Sequence, residues 1–361
     1  MARLSIREVD IIAPNFKKRL SGVTSTIAQL VPQQRAQGAR IAALGPKGSL
    51  PNNVPMLGWG ALFGLWQAPQ GRPYRLWHAR RNVEMLAGII MRNILRMKLR
   101  LIFTSAAQRH HKAFTKYLIG KMDKVIATSA RSGSYLRVPY QIIRHGVDLA
   151  GFTPPATAAD KFAAAGLPGS LAIGCFGRIR HQKGTDLFVA AMLALLPRYP
   201  QWTAVISGRI TPEHKAFAEG LKAKIAQAGL SERIIFLGEV PDIRQWYRRL
   251  TLYVAPSRNE GFGLTPLEAF ASQTAVVASN AGAYPELVAP GTGAIVPAGD
   301  EKALEQAIEP YLAAPQTALA AGQAGLVHVR AHFPLEREAE AINCVYEELL
   351  QAMAGEKKAP I

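Results

Sequence analysis

The 361-residue sequence carries two runs in which charged side chains stand among glycines in a way that suits chemistry. In the first, Gly177 to Gly184 (GRIRHQKG), Arg178 and Lys183 bracket a short loop between the apolar run LAIGCFG and an apolar helical segment. A guanidinium and an ammonium held that way can converge on phosphate oxygens and clamp a diphosphate. Taken alone, the same loop reads equally as a solvated basic turn. In the second run, Glu260 is followed by Gly261, Phe262, Gly263, Leu264, Thr265, Pro266, Leu267 and Glu268. The glycines let backbone amides come close to a ligand, and Pro266 suits the first turn of a helix whose positive end faces it. A phosphate or sugar hydroxyl can dock there, and Glu268, near the helix start, can accept both hydroxyls of a ribose. The plain alternative is a pair of surface acids near a helix start.

Elements that could position these runs are legible on both sides of them. The first half alternates strand-like runs (VDIIAP, RIAALG, RLWH, LRLIFTS, KVIATS, YQIIRHG) with helical ones, including a helix from about Thr24 to Gln37. The second half repeats the rhythm with LAIGCFG, WTAVISG, RIIFLG, TLYVAPS and AVVASN. Such alternation predicts parallel sheets with helices on their faces. Residues 1–150 and 151–335 are expected to form two α/β lobes, joined near Leu149 to Pro155, where Pro, Ala and turn residues gather. Helical segments follow at 301–313, 317–331 and 336–354, and the last, within 336–361, is expected to pack back on the first lobe. In open parallel sheets ligands bind at the carboxyl ends of strands, and both motifs directly follow strand-like runs.

Composition narrows the classes. With 49% hydrophobic and 19% charged residues the chain is globular and not disordered. Cys175 and Cys344 have neither zinc nor redox spacing, so a reducing compartment is expected. The N-terminus lacks the pattern of a signal peptide, and no apolar run approaches the ~18 residues of a membrane span; a cytoplasmic location follows as an expectation. Net charge is +18, but residues 1–150 hold 24 Lys and Arg against 5 Asp and Glu, while the remainder is nearly neutral. An anionic partner is therefore expected to meet the first lobe. Residues 79–100 read as a helix with Arg92, Arg96 and Arg100 in line, and 109–124 as a second basic and apolar stretch, both suited to an anionic leaflet. The bland alternative is inward packing with solvated charges. Nucleic acid is a third reading, but no aromatic RNA-binding motif or zinc-finger spacing supports it, and none is expected as partner.

The run NEGFGLTPLEA, with glutamates eight positions apart, resembles the signature of retaining glycosyltransferases of family 4. GRIRHQKGTD resembles that family's phosphate loop, and FLGEVPD, YVAPS and HGVD fall in the family's order. WHARRNVEMLAGI and FTSAAQRHHKAF resemble the lipopolysaccharide inner-core mannosyltransferases of rhizobial type. The resemblance implies a GT-B fold: two Rossmann-like lobes whose parallel sheets face each other across a cleft, the acceptor in the first lobe and the nucleotide sugar in the second. It implies Arg178 and Lys183 on the donor diphosphate, Glu260 on the donor sugar, Glu268 on the ribose, and the amides of Gly261, Phe262, Gly263 and Leu264 along sugar and phosphate. The family's first loop carries paired glycines; here Leu20, Ser21, Gly22 and Val23 leave only Gly22.

Family members place a histidine in the first lobe beside the reacting carbon. His111 and His110 are the leading candidates because they follow a strand, then His78, with His145 near the linker; each also reads as an ordinary structural or solvated histidine. No Asp-x-Asp occurs, so no metal cofactor is expected, and the cations of the second lobe would neutralise the leaving group. The implied donor is GDP-mannose and the implied acceptor a lipid-linked saccharide of the Kdo-lipid A type, reached from the inner face of the cytoplasmic membrane. A UDP- or ADP-sugar donor, a nucleotide-sugar epimerase and a basic nucleic-acid-binding protein are the alternatives.

Overall fold

A computed structural model describes residues 4–17 and 22–355. Among these, seven strands form one parallel sheet: β1 (Ile11–Pro14), β2 (Ile41–Leu44), β3 (Met56–Leu57), β4 (Arg75–Ala79), β5 (Leu99–Ser105), β6 (Lys124–Ala127) and β7 (Gln141–Ile142), in the order β3-β2-β1-β4-β5-β6-β7. Helices α1 (Gly22–Ala36), α2 (Asn82–Ile89), α3 (Ala113–Ile119) and α4 (Ala130–Ser134) connect them. Six more strands form a second parallel sheet: β8 (Leu171–Phe176), β9 (Trp202–Ser207), β10 (Ile234–Gly238), β11 (Leu252–Ala255), β12 (Ala275–Ser279) and β13 (Gly293–Val296), in the order β10-β9-β8-β11-β12-β13. Their connecting helices are α5 (Thr185–Leu195), α6 (Lys215–Gln227), α7 (Ile243–Arg249), α8 (Thr265–Ala271) and α9 (Tyr284–Leu287), followed by α10 (Glu301–Ala313), α11 (Pro315–His332) and α12 (Leu335–Gly355).

The central strands are apolar on both faces because helices cover both sides. Every residue of β1, β4, β9 and β12 is buried. In each sheet the strand order reverses beside the first strand, between β1 and β4 and between β8 and β11. At such a reversal the loops leave to opposite sides and open a crevice, so ligand residues belong at the carboxyl ends of these four strands.

The chain divides into 1–146 with 335–361, and 147–334. The crossing falls at Gly146 and Val147, a few residues before the stretch Leu149 to Pro155, because Phe152 is already buried in the second unit against the Tyr247 ring, centroids 5.7 Å apart. The chain returns at Pro334–Leu335, where α12 joins the first unit and packs on α1. Leu335, Ala339, Ile342, Val345, Tyr346 and Leu350 are all buried in a core shared with Ile27, Leu30 and Val31. His145 and Glu338 fasten this return: the carboxylate accepts from the Gly146 amide at 2.8 Å and lies 2.6 Å from His145 Nδ1.

The helix expected over residues 79–100 is a correction. Residue 79 closes β4, α2 ends at Ile89, a π-helical turn covers Ile90–Ile94, Arg96 adopts φ 53°, and Arg100 lies in β5. Arg92 and Arg100 therefore do not line one helix; both reach Asp123, at 2.7 and 3.0 Å. The very short strand β3 and the terminal strand β13 escape the sequence pattern, the former because two residues carry no periodicity.

Because α12 completes the core of the first unit, Ile342→Ala should lower that unit's unfolding free energy by about 2–5 kcal/mol. Chemical denaturation reads this, and an unshifted transition would mean that α12 does not hold the unit together.

Candidate active site

The chemistry-bearing loops of the second unit leave β8 and β11, the two strands that flank its order reversal. After β8 the chain runs through Arg178 to a short 3-10 turn, His181–Lys183, and enters α5 from Gly184, whose φ is +73°. A Cβ on Gly184 would stand 2.0 Å from the Pro256 carbonyl oxygen, so only glycine allows the β8 loop to touch the β11 loop there. Arg258 locks the contact: its guanidinium donates to both oxygens of Asp186, at 2.7 and 2.8 Å, and to the His181 carbonyl at 2.8 Å. Its amide donates to the Gln182 carbonyl at 2.9 Å.

That closure joins the two sequence motifs. The Lys183 ammonium donates to Glu260 Oε2, Tyr284 Oη donates to the same oxygen at 3.2 Å, and the Gly261 amide donates to Oε1 at 3.2 Å. Burial alone would raise the Glu260 carboxyl, but the Lys183 charge and these hydrogen bonds outweigh it and hold the group below the ordinary carboxylate range. Glu260 is thus kept ionised. A Cβ on Gly263, at φ +84°, would stand 2.3 Å from the Tyr284 ring, so the turn behind Glu260 needs a glycine for both space and conformation. Glu268, on α8, accepts from Tyr247 Oη at 2.9 Å; burial raises its carboxyl, against the pull of that hydrogen bond. A small cavity lies at the carboxyl ends of β8 and β11, lined by Gly177, Arg178, Lys183, Ser257, Thr265 and Tyr284. The structure therefore brings Arg178, Lys183 and the Glu260 loop to one place. The backbone runs on through buried Phe262 and through Leu264, which opens α8, but the Gly261 amide is engaged by Glu260 itself.

Residues 170–314, which contain all of these groups, match the family described as glycosyl transferases group 1. The chain is 64% identical over 346 residues, 96% of its length and 98% of the relative's, to the lipopolysaccharide core biosynthesis mannosyltransferase LpcC of Rhizobium leguminosarum bv. viciae. It is 53% identical over 352 residues, 96% of its length and all of the relative's, to the lipopolysaccharide core biosynthesis mannosyltransferase LpsB of Rhizobium meliloti. The chain belongs to this family of glycosyltransferases. Its fold is that of GT-B enzymes: Anabaena HepE, solved in complex with UDP, superimposes with a TM-score of 0.81 over 94% of this chain and 100% of that one, at 19% identity.

The first unit of the glycosyltransferase separates the candidate histidines. His78 is fully buried in β4, with Nδ1 2.6 Å from Tyr346 Oη and Nε2 2.6 Å from Thr104 Oγ1. Burial, and then the nearby Arg80 charge, hold it neutral, and both ring nitrogens are engaged, so it serves as a core histidine fastening α12 to β4 and β5. His111 lies beyond the carboxyl end of β5, partly exposed, with Nε2 3.5 Å from Ser105 Oγ. Burial, followed by the charges of Arg109 and Lys116, lowers its pKa and favours the neutral ring. His110 is exposed, edge-on to the Tyr135 ring with centroids 5.1 Å apart. His145 is held by Glu338. In the first loop, Leu20 and Ser21 lie outside the described residues; Gly22 begins α1, and a Cβ on it would meet nothing within 4 Å.

Sequence reasoning missed Tyr284, Tyr247 and the Arg258–Asp186 pair. Tyr284 opens α9 directly after the β12 loop, so extending the carboxyl-end rule by one strand would have found it. Tyr247 reaches Glu268 from α7 across the fold, and nothing in its spacing announces that contact.

Cys175 lies in β8 against this cavity, and burial pushes its thiol up to about 12, whereas Cys344 is exposed. Thiolate is the reactive form, so at about pH 8 iodoacetamide should label Cys344 alone in the native enzyme, and Cys175 only after unfolding. Mass mapping of the labelled peptides reads the result; native labelling of Cys175 would contradict this packing.

Proposed function

We propose that this enzyme transfers mannose from GDP-mannose, with retention and without a metal ion, onto a lipopolysaccharide inner-core acceptor of the Kdo-lipid A type. The supporting observation is the Lys183–Glu260 pair at the strand-order reversal, in a chain whose relatives at 64% and 53% identity are lipopolysaccharide core mannosyltransferases. Arg178 and Lys183 hold the diphosphate; Glu268, set by Tyr247, takes the ribose; Glu260, kept ionised, orients the sugar and stabilises its developing positive charge. The bond from the anomeric carbon to the phosphate oxygen breaks and its electron pair leaves with GDP. The acceptor hydroxyl attacks the oxocarbenium-like sugar from the same face, and its proton passes to the departing phosphate oxygen. His111 is the histidine best placed to line the acceptor side. The enzyme works in the cytoplasm, peripherally on the inner face of the cytoplasmic membrane, where such an acceptor is anchored.

Glu260→Gln should cut turnover by about 100-fold or more while leaving GDP affinity nearly intact, because the carboxylate acts on the sugar. Glu268→Ala should instead weaken GDP binding. Calorimetric titration with GDP, paired with transfer assays, distinguishes them; the opposite pattern would mean that the two roles are exchanged. Since a ligand at a hundred times its Kd stabilises by ~2.7 kcal/mol, GDP should raise the thermal midpoint more than UDP or ADP at equal concentration. A larger shift with UDP or ADP would favour the other donors.

Transfer should also proceed in excess EDTA, because the Arg178 and Lys183 cations stand where the leaving phosphate develops charge. Activity lost to EDTA and restored by magnesium or manganese would overturn the metal-free reading.

A further inference from the structure

Among the described residues, twelve of the fifteen exposed large apolar side chains belong to the first unit, and most of them share one flank. Three segments build it. The 3-10 helix Trp59–Trp66 carries Trp59, Phe63 and Trp66; α2 and the π-helical turn after it carry Val83, Leu86, Ile90, Ile94 and Leu95; α3 carries Phe114 and Tyr117. Hydrogen bonds make these segments neighbours. The Trp66 indole donates to the Leu95 carbonyl at 2.8 Å, Asn82 to Thr115 Oγ1 at 2.7 Å, and Arg92 to the Lys121 carbonyl at 2.8 Å.

Helix α2 explains why this is no ordinary solvated face. Its inner side is already satisfied: Met85, Gly88 and Ile89 are buried, and a Cβ on Gly88 would stand 2.8 Å from Trp77 and 2.9 Å from Leu101. Its outer side nevertheless repeats apolar residues at Val83, Leu86 and Ile90, continued by Ile94, which is 72% exposed; on the neighbouring segment Phe63 is 80% exposed. A helix that is apolar on both sides expects a second apolar neighbour, and a contiguous exposed patch of this kind marks an interaction surface.

Charge identifies the neighbour. From Trp59 to Met122 the sequence has twelve Lys and Arg and a single acid, Glu84, which is buried and ion-paired to Arg81. Arg96, Lys98, Arg109, Lys112, Lys116 and Lys121 stand exposed around the apolar flank. Aromatic and aliphatic side chains ringed by cations, with no exposed acid among them, complement an anionic lipid interface. Nucleic acid fits less well, because Leu86, Ile90 and Ile94 offer no ring to stack a base on. We propose that this flank inserts its apolar side chains, Phe63 and Ile94 foremost, among the acyl chains of an anionic bilayer while the surrounding Lys and Arg hold the headgroups. The inference rests on the membrane-anchored acceptor proposed above and adds to it a mode of attachment that salt alone does not reverse. The stripe begins, at Val83 and Phe114, near the carboxyl ends of β4 and β5, the end of the sheet at which a ligand is expected.

The test uses the full chain and vesicles of phosphatidylcholine and phosphatidylglycerol with brominated acyl chains, which quench only tryptophans that reach them. Trp59 and Trp66 lie on the flank, whereas Trp77 and Trp202 are fully buried and Trp246, half-buried, lies in the second unit. Quenching is expected, and it should persist in about 1 M salt, where the Debye length falls to ~3 Å. The double variant Phe63→Ser/Ile94→Ser should partition about tenfold or more weakly, with its thermal midpoint and GDP affinity retained. Binding that salt abolishes, without quenching, would overturn insertion and leave the membrane-anchored reading standing. Absence of wild-type binding to any vesicle would overturn both. A lipid-free dimer that the double variant splits would overturn insertion by assigning the flank to a second copy of the chain.

Discussion

Contact between one ammonium and one carboxylate organises the second unit. Lys183 and Glu260 come from loops 77 positions apart, and both side chains are largely withdrawn from water. Neither charge would be tolerable there alone, because a shielded ion without its partner costs far more than the pair contributes. The surrounding features can be understood as conditions for that contact. Gly184 removes the Cβ that would hold the loops apart, Arg258 and Asp186 lock them from the other side, and Gly263 lets the Tyr284 ring lie against the turn so that its hydroxyl reaches the same carboxylate. An ammonium has three donors, so Lys183 can keep Glu260 while another N–H takes a phosphate oxygen. The ion pair is then a latch between the two loops that leaves donors of Lys183 to spare.

Legibility in the sequence followed the range of the forces involved. Parallel strands covered on both faces announce themselves as apolar runs, and β5 coincides with LRLIFTS residue for residue. Helices α10, α11 and α12 begin and end within two residues of the periodic segments that predicted them. That Arg178, Lys183 and the Glu260 loop would come to one place was readable because both motifs follow strands that end at the same edge of the sheet. What stayed hidden depended on distant partners. Asp186 looks like a helix-start acid until Arg258 is seen across from it, and His78 looks as available as any strand-end histidine until Tyr346 arrives from the far end of the chain. Arg92 and Arg100 misled for the same reason: eight residues apart, they suggested a helical line, but the chain turns between them and Asp123 gathers both.

The two units use their apolar residues differently. In the second, large side chains are almost all consumed by the sheet and its helices, leaving a nearly neutral surface around a defined set of polar groups. In the first, α2 keeps apolar residues on the side the sheet does not need, and these carry the cost of exposure to water unless another surface covers them.

Residues 147–334 form a complete unit lying between the two pieces of the other, and this order matters while the protein is being made. Synthesis proceeds from the N-terminus, so β1 to β7 emerge early but lack Leu335, Ile342, Val345 and Tyr346 until some two hundred further residues have been added. During that interval α1 presents a bare apolar face and His78 has no hydroxyl from Tyr346. The second unit, whose elements are contiguous in the chain, needs no segment made after it. Newly made chains are therefore most exposed to aggregation and proteolysis in the half that is translated first, which stays unfinished until the last helix of the chain has been made.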